Sequence, residues 1–121
     1  MPKTILIVDD EDVVVDISRR RLTQEGYEVR GVHDGESALQ ALREGVVDLI
    51  ALDVEMPVMN GYTFLAERKK IPGAENVPVI VLTAYPNMQP ILKRQGIDMY
   101  LTKPLPFRDL LASIKKVIGE P

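Results

Sequence analysis

Residues 4–11 have the sequence Thr-Ile-Leu-Ile-Val-Asp-Asp-Glu, a short apolar run that ends in acidic side chains. A continuous run of mostly β-branched residues is typical of a strand covered on both faces. Similar runs recur along the chain, and we predict strands over residues 4–8, 27–32, 48–52, 77–82 and 99–101. The second of these mixes polar with apolar residues, which favours a half-exposed edge strand.

Helical spacing of apolar residues separates these runs. It predicts helices over 12–24, from the cap Asp34 to Gly45, over 62–70, and from Phe107 towards the C-terminus. The predicted inward positions are Val13, Val14, Ile17 and Leu22, then Ala38, Leu39, Ala41 and Leu42, then Leu65 and Ala66, and finally Phe107, Leu110, Leu111, Ile114, Val117 and Ile118. Five strands alternating with five helices predict a parallel α/β sheet with helices on both faces.

The fourth helix is expected to be short. Its segment, residues 84–95, contains Pro86 and Pro90, which lack backbone N–H donors. Proline in a helix interior costs about 3 kcal/mol but is tolerated in the first turn, so we predict that this helix starts near Pro90.

The composition is that of one globular domain spanning residues 1–121, with 45% hydrophobic and 27% charged residues. The chain has no cysteine, which excludes disulfides and a thiol nucleophile and suits the cytoplasm. No apolar run approaches the roughly 20 residues that span a bilayer. The net charge of −3 gives no footprint for nucleic-acid binding. The basic clusters at 19–21, 68–70 and 115–116 are interpreted as solvated helix faces.

Chemically active side chains follow four of the five predicted strands. Asp9 and Asp10 follow the first strand, Asp53 the third, Thr83 the fourth and Lys103 the fifth. Because ligands bind at the carboxyl ends of parallel strands, we expect these groups to converge on one pocket. Taken alone, Asp10 could cap a helix, Thr83 could be an ordinary strand residue and Lys103 could be solvated. Their coincidence at one edge favours a functional site.

Three neighbouring carboxylates repel one another, and a hard divalent cation with oxygen ligands, Mg²⁺, relieves that repulsion. Lys103 adds another positive charge. Cations around a carboxylate also suit an incoming phosphoryl group, whose transfer depends on positioning and charge neutralisation. A carboxylate can be the nucleophile, with Thr83 donating its hydroxyl to a phosphate oxygen. The pattern therefore predicts phosphoryl transfer to an aspartate.

Four segments resemble the receiver domains of two-component response regulators. They are residues 7–11 (Ile-Val-Asp-Asp-Glu), 53–61 (Asp-Val-Glu-Met-Pro-Val-Met-Asn-Gly), 81–84 (Val-Leu-Thr-Ala) and 100–104 (Tyr-Leu-Thr-Lys-Pro). Each is a weak motif, but all four in this order are specific, and the resemblance covers essentially the whole chain. It implies a flavodoxin-like doubly wound (βα)5 fold with parallel strands in the order 2-1-3-4-5.

The resemblance implies a set of metal ligands. Asp53 would be the phosphoacceptor and would ligate Mg²⁺ directly, together with Asp10 and the backbone carbonyl of Glu55. Asp9 would act through a metal-bound water. We further hypothesise that the Glu55 carboxylate repels or orients the attacking water and so tunes the phosphoryl lifetime.

The resemblance also implies how the phosphoryl group is held and sensed. Lys103 would pair with it, and the Thr83 hydroxyl and the Ala84 N–H would hold its other oxygens. Tyr100 matches the aromatic residue that swings inward when Thr83 moves towards the phosphate. The Lys103-Pro104 peptide bond is expected to be cis.

A signalling role follows from the resemblance. A histidine kinase or histidine phosphotransfer protein would supply the phosphoryl group, and the domain would catalyse only its own phosphorylation and dephosphorylation. Phosphorylation would shift a two-state equilibrium and alter an output face made by the fourth helix, fifth strand and fifth helix. Effector binding or homodimerisation would use that face, and the short fourth helix implies an unusual partner. Such a protein is expected to be bacterial and cytoplasmic, without direct contact with nucleic acid or membrane.

Two other functions stay open on the sequence. The run from Asp53 to Glu55 is similar to the Asp-x-Asp start of haloacid dehalogenase-type phosphatases, although the chain lacks room for a cap domain. The second is a receiver-like interaction module that is never phosphorylated. The complete set of acidic residues, threonine and lysine argues against this function.

His33 is interpreted as a surface histidine away from the carboxylates. No Gly-x-Gly-x-x-Gly follows a strand, which argues against dinucleotide binding.

Overall fold

The computed structural model describes residues 2–54, 61–84, 89–94, 96–97, 99–104 and 106–121. The strands are β1 (Thr4–Val8), β2 (Glu28–Val32), β3 (Leu49–Asp53), β4 (Val79–Thr83) and β5 (Met99–Thr102). The helices are α1 (Asp12–Gln24), α2 (Gly35–Glu44), α3 (Gly61–Arg68), α4 (Gln89–Arg94) and α5 (Phe107–Ile118), with a 3-10 turn at Ala74–Asn76. The predicted alternation of strands and helices is confirmed.

The strands form one parallel sheet in the order β2-β1-β3-β4-β5. This is the predicted order, and β2 occupies the predicted edge position. The register brings the strand ends level, because Asp53 is opposite Leu82 and Thr83 is opposite Thr102. Side chains at the carboxyl ends of β1, β3, β4 and β5 therefore share one edge of the sheet.

The sheet separates two apolar cores. Leu6 and Val8 of β1 belong to the core shared with α2, α3 and α4, whereas Ile5 and Ile7 belong to the core shared with α1 and α5. This alternation is the two-residue period of a strand with both faces covered. It explains why the central strands have continuous rather than alternating apolar sequences.

Helix α1 faces the sheet with different residues from those predicted. Val15 and Leu22 are buried, whereas Val13 and Ile17 are 67% and 52% exposed, so the inward assignment of Val13 and Ile17 was wrong. Three consecutive valines leave the phase of the apolar stripe ambiguous in the sequence. The phase is fixed by Gly31 of β2, where a Cβ would lie only 2.4 Å from Val15 Cγ1.

Helix α3 also departs from its predicted pattern. Leu65 is buried as predicted, but Ala66 is exposed and its inward assignment was wrong. The residue that is buried together with Leu65 is Phe64. Arg68 lies four residues after Phe64 on the same side of the helix and is only 4% exposed. The interpretation of residues 68–70 as a solvated basic cluster is therefore wrong for Arg68, because helical spacing places it under the chain that follows.

Helix α2 begins at the predicted cap. The Asp34 carboxylate accepts a hydrogen bond from the backbone N–H of Ser37 at 2.7 Å, and this hydrogen bond holds the pKa of Asp34 below its usual value.

The predicted apolar face of α5 is also confirmed, since Leu110 and Ile114 are buried and the other predicted positions pack against the same core. No helix among the described residues is long and apolar enough to cross a membrane.

Helix α4 is described over Gln89–Arg94 and has Pro90 in its first turn, where the prediction places the helix start. The other residues of the predicted irregular segment, 85–88 and 95, lie outside the described residues.

The close approach of α1 to β2 yields a stability prediction. Gly31→Ala is expected to lower the free energy of unfolding by about 1–3 kcal/mol, because the new methyl group would overlap Val15 Cγ1. Val15→Ala alone also destabilises, by leaving a cavity. In the double variant the overlap disappears, so the loss should be smaller than the sum of the single losses. Urea unfolding followed by circular dichroism measures this, and additive losses would contradict it.

Candidate functional site

Acidic side chains meet at the carboxyl ends of β1 and β3. Asp9 directly follows β1 and Asp53 ends β3, and both are almost fully buried, at 1% and 2% exposure. Asp10 is exposed at the rim. One carboxylate oxygen from each of the three lies within 4.8 Å of the others. The structure thus brings together the three carboxylates that the sequence places after separate strands.

Lys103 supplies the positive charge of this cluster. Its Nζ lies 3.1 Å from Asp53 Oδ2 and 4.0 Å from Asp9 Oδ2. Its backbone N–H donates a hydrogen bond to the Thr83 carbonyl at 2.8 Å, which ties the loop after β5 to the end of β4. The Lys103-Pro104 peptide bond is cis, as expected. One ammonium therefore faces two buried carboxylates.

The environment of Asp9 disfavours the ionised form of its carboxylate. Its Oδ1 accepts the Glu11 backbone N–H at 3.0 Å, but its buried Oδ2 has no hydrogen-bond partner among the described residues. Burial raises the pKa of Asp9, and the Glu11 N–H and the Lys103 ammonium offset this rise only in part. A hard cation ligated by oxygen would compensate both the repulsion and the unsatisfied oxygen, so these residues fit Mg²⁺.

The predicted phosphoryl-holding and switch residues lie on the next two strands. Thr83 ends β4 with a buried side chain, and Ala84 follows it at the surface. Tyr100 is half-buried, pairs in register with Val81, and packs against the core on the α2–α4 side of the sheet. Glu55, predicted to supply a backbone ligand, lies outside the described residues.

His33 is exposed, as interpreted, but it is not away from all carboxylates. Its Nε2 lies 2.8 Å from Asp12 Oδ1 at the start of α1. The cause is the parallel pairing of β1 with β2, whose last residue, Val32, accepts the Asp9 backbone N–H at 3.2 Å. The end of β2 is thereby brought beside the loop that carries the acidic cluster.

A groove of about 610 Å³ opens beside the cluster, between α1 and α5. Its walls include Asp9, Ala84 and Lys103 on the site side and Ile17 and Phe107 on the helix side. No sequence pattern predicts this groove, because it depends on how the two helices pack on one face of the sheet. The groove reaches the acidic cluster at Asp9 and Lys103.

Residues 5–115 match the family described as response regulator receiver domain. The chain belongs to this family. Receiver domains are signalling phosphoacceptor domains of two-component systems, and this receiver domain has the fold and the acidic cluster of that class.

Among curated proteins, the receiver domain is 40% identical over 116 residues to the transcriptional regulatory protein CpxR of Klebsiella pneumoniae. The match covers 94% of this chain but 48% of CpxR. The chain therefore spans about half the length of this relative.

Solved structures agree with the fold. The chemotaxis protein CheY4 of Vibrio cholerae superposes with a TM-score of 0.91 at 29% identity, covering 97% of this chain and 99% of that one. The response regulator TrrA of Thermotoga maritima, solved in complex with Mg²⁺-BeF, gives a TM-score of 0.81 at 36% identity, covering 95% and 98%.

Charge repulsion in the cluster yields a prediction about metal dependence. Asp10→Asn is expected to raise the free energy of unfolding in EDTA by about 0.2–1 kcal/mol, because it removes one negative charge beside Asp9. The same change should reduce the stabilisation that Mg²⁺ gives by mass action. Thermal unfolding with EDTA or Mg²⁺ measures both effects.

Asp16→Asn is the matched control for this prediction, since Asp16 is an exposed α1 carboxylate that pairs with Arg19 at 3.4 Å. Mg²⁺ should stabilise this variant as much as the wild type. Equal Mg²⁺ responses in Asp10→Asn and Asp16→Asn would contradict the role of Asp10 at the cluster.

Proposed function

We propose that Asp53 is the phosphoacceptor and receives a phosphoryl group from a phosphohistidine. The observation that carries this proposal is the 3.1 Å contact between Lys103 Nζ and Asp53 Oδ2, with oxygens of Asp9 and Asp10 within 4.8 Å of an Asp53 oxygen. A carboxylate oxygen can act as the nucleophile, and the neighbouring ammonium can neutralise charge on the group transferred to it. Membership in the receiver family supports the same assignment.

In the proposed reaction an Asp53 carboxylate oxygen attacks phosphorus. The new O–P bond forms as the P–N bond of phosphohistidine breaks, and the imidazole nitrogen keeps the electron pair. Lys103 neutralises charge on the transferred group, while the Thr83 hydroxyl and the Ala84 N–H donate to its remaining oxygens. Hydrolysis of the product by water returns Asp53 as a carboxylate and releases inorganic phosphate.

The proposed cofactor is Mg²⁺, which supplies charge neutralisation for the phosphoryl oxygens when it is bound. Asp10, Asp53 and the backbone carbonyl of Glu55 would ligate it directly, and Asp9 would act through a water molecule. The buried Oδ2 of Asp9, which has no hydrogen-bond partner in the part of the chain that the structure describes, supports this donor set. The Mg²⁺-BeF complex of the related TrrA is consistent with it.

The proposed switch couples Asp53 to the face formed by α4, β5 and α5. Thr83 would move towards the phosphoryl group and Tyr100 would move further inward. The half-buried position of Tyr100 supports this role, since the side chain has both a core contact to keep and solvent exposure to lose. The energy required is modest, because moving a two-state equilibrium from 1:99 to 99:1 takes about 5.5 kcal/mol.

Further proposals concern the protein as a whole. We propose that residues 1–121 form one receiver domain, that it acts in the cytoplasm, and that its catalysis is limited to its own phosphorylation and dephosphorylation. Its partners would be a histidine kinase or histidine phosphotransfer protein and an effector or second copy bound at the output face. It would not itself contact nucleic acid or membrane.

Incubation with acetyl phosphate tests the phosphoacceptor. The wild type is expected to gain one phosphoryl group by intact-mass measurement when Mg²⁺ is present and much less in EDTA. Asp53→Asn should gain none, because an amide is not a competent nucleophile. Asp16→Asn, the same chemical change at an exposed position, should behave like the wild type.

The other functions have distinct outcomes in this experiment. Steady turnover of a phosphate monoester would favour a phosphatase. Absence of a mass gain, together with failure to bind beryllofluoride and Mg²⁺, would favour an interaction module that is never phosphorylated. Either result would overturn the proposal.

The Glu55 hypothesis has its own measurement. Glu55→Ala is expected to change the first-order rate at which the phosphorylated protein loses its phosphoryl group, because the carboxylate would no longer repel or orient the attacking water. Glu36→Ala, at an exposed position in α2, is the control. Identical rates for the wild type and Glu55→Ala would dismiss the hypothesis.

A further inference from the structure

Arg68 is a charged residue on the buried side of α3. It follows Phe64 by four positions, on the side of α3 that packs against the core, and only 4% of it is exposed. A guanidinium stays charged in proteins, so burial must be compensated by other groups. Burial lowers the pKa of Arg68, and nearby Glu75 offsets this lowering only in part.

The hydrogen bonds of Arg68 are incomplete. Its Nη1 donates to the Ala74 carbonyl at 2.9 Å, which holds the turn between α3 and β4. Its buried Nε has no hydrogen-bond partner within the described part of the chain. No carboxylate of that part forms an ion pair with it either. One edge of the guanidinium therefore lacks the anionic acceptor that a buried arginine normally has.

A cavity of about 370 Å³ lies against this side chain. It is bordered by the start of β4 at Val79, the start of β5 at Met99 and the C-terminal turn of α5 at Val117. This is the edge of the sheet opposite Asp53. Glu75 and Asn76, which are exposed, also line it.

We propose that Arg68 and this cavity form a second binding site, which takes a small organic monocarboxylate with an apolar body. The carboxylate would accept hydrogen bonds from the guanidinium, and the body would contact the apolar walls formed by Val79, Ile97, Met99 and Val117. The volume is within the range of small-molecule sites. The negative charge of Glu75 disfavours a dianion such as phosphate. This site is independent of phosphorylation.

Benzoate is the probe for this site. In the Mg²⁺-free wild-type protein at constant ionic strength, the NMR signal of the Arg68 Nε–H is expected to shift saturably as benzoate is added. Inorganic phosphate should shift it less, and neutral benzamide should leave it unmoved, because neither matches both the charge and the apolar body. An Arg68 signal that does not respond to benzoate would overturn the proposal, as would equal responses to benzamide or phosphate.

Two variants, Arg68→Met and Lys70→Met, test whether benzoate binds at Arg68. Arg68→Met places an unbranched apolar chain in the same position. It should weaken benzoate binding, measured in both variants from the NMR signals of benzoate itself, about tenfold or more, because hydrogen bonds between charged groups are among the strongest. Lys70→Met removes an exposed charge two residues away, which within the described ranges forms an ion pair with Glu67, and this variant should bind benzoate normally. Equal affinity in the two variants would contradict the site. If Arg68→Met does not fold, the wild-type titration decides the question.

Discussion

The structure depends on the level alignment of parallel strand ends. The register of β1, β3, β4 and β5 places Asp9, Asp53, Thr83 and Lys103 at one edge of the sheet. There the Lys103 ammonium faces two buried carboxylates. Two buried carboxylates that face one ammonium leave an excess of negative charge, which lowers the stability of the folded state and which a bound cation would relieve. The excess of negative charge suits this edge to a divalent cation, and such a cation together with Lys103 would offset the negative charge of an incoming phosphoryl group.

Much of this arrangement follows from the sequence. Short apolar runs predict the strands and helical spacing of apolar residues predicts the helices. Parallel topology then brings the end residues together without any knowledge of side-chain contacts. Pro90 lies in the first described turn of α4 for a similar reason, because its missing N–H restricts where it fits in a helix. Residues 85–88, on which the predicted helix start also depends, lie outside the described residues. Such constraints are local, and the sequence states them directly.

The failures concern interactions that are not local. The phase of α1 is decided by Gly31 in another element, and nothing within 12–24 shows that Val15 rather than Val13 meets the sheet. Arg68 has the sequence context of a surface residue, yet the turn that follows α3 covers it. The contact between His33 and Asp12 depends on two strand ends lying side by side. Each needs the tertiary structure.

The Arg21 guanidinium lies 4.2 Å from the centre of the Phe107 ring, across the seam between α1 and α5. Phe107 stands four residues after Lys103, and Lys103 is fastened to the end of β4. A displacement of the Lys103 main chain would therefore act on the contact between Arg21 of α1 and Phe107 of α5. The lysine of the acidic cluster is thus only four residues along the chain from the residue that joins α5 to α1.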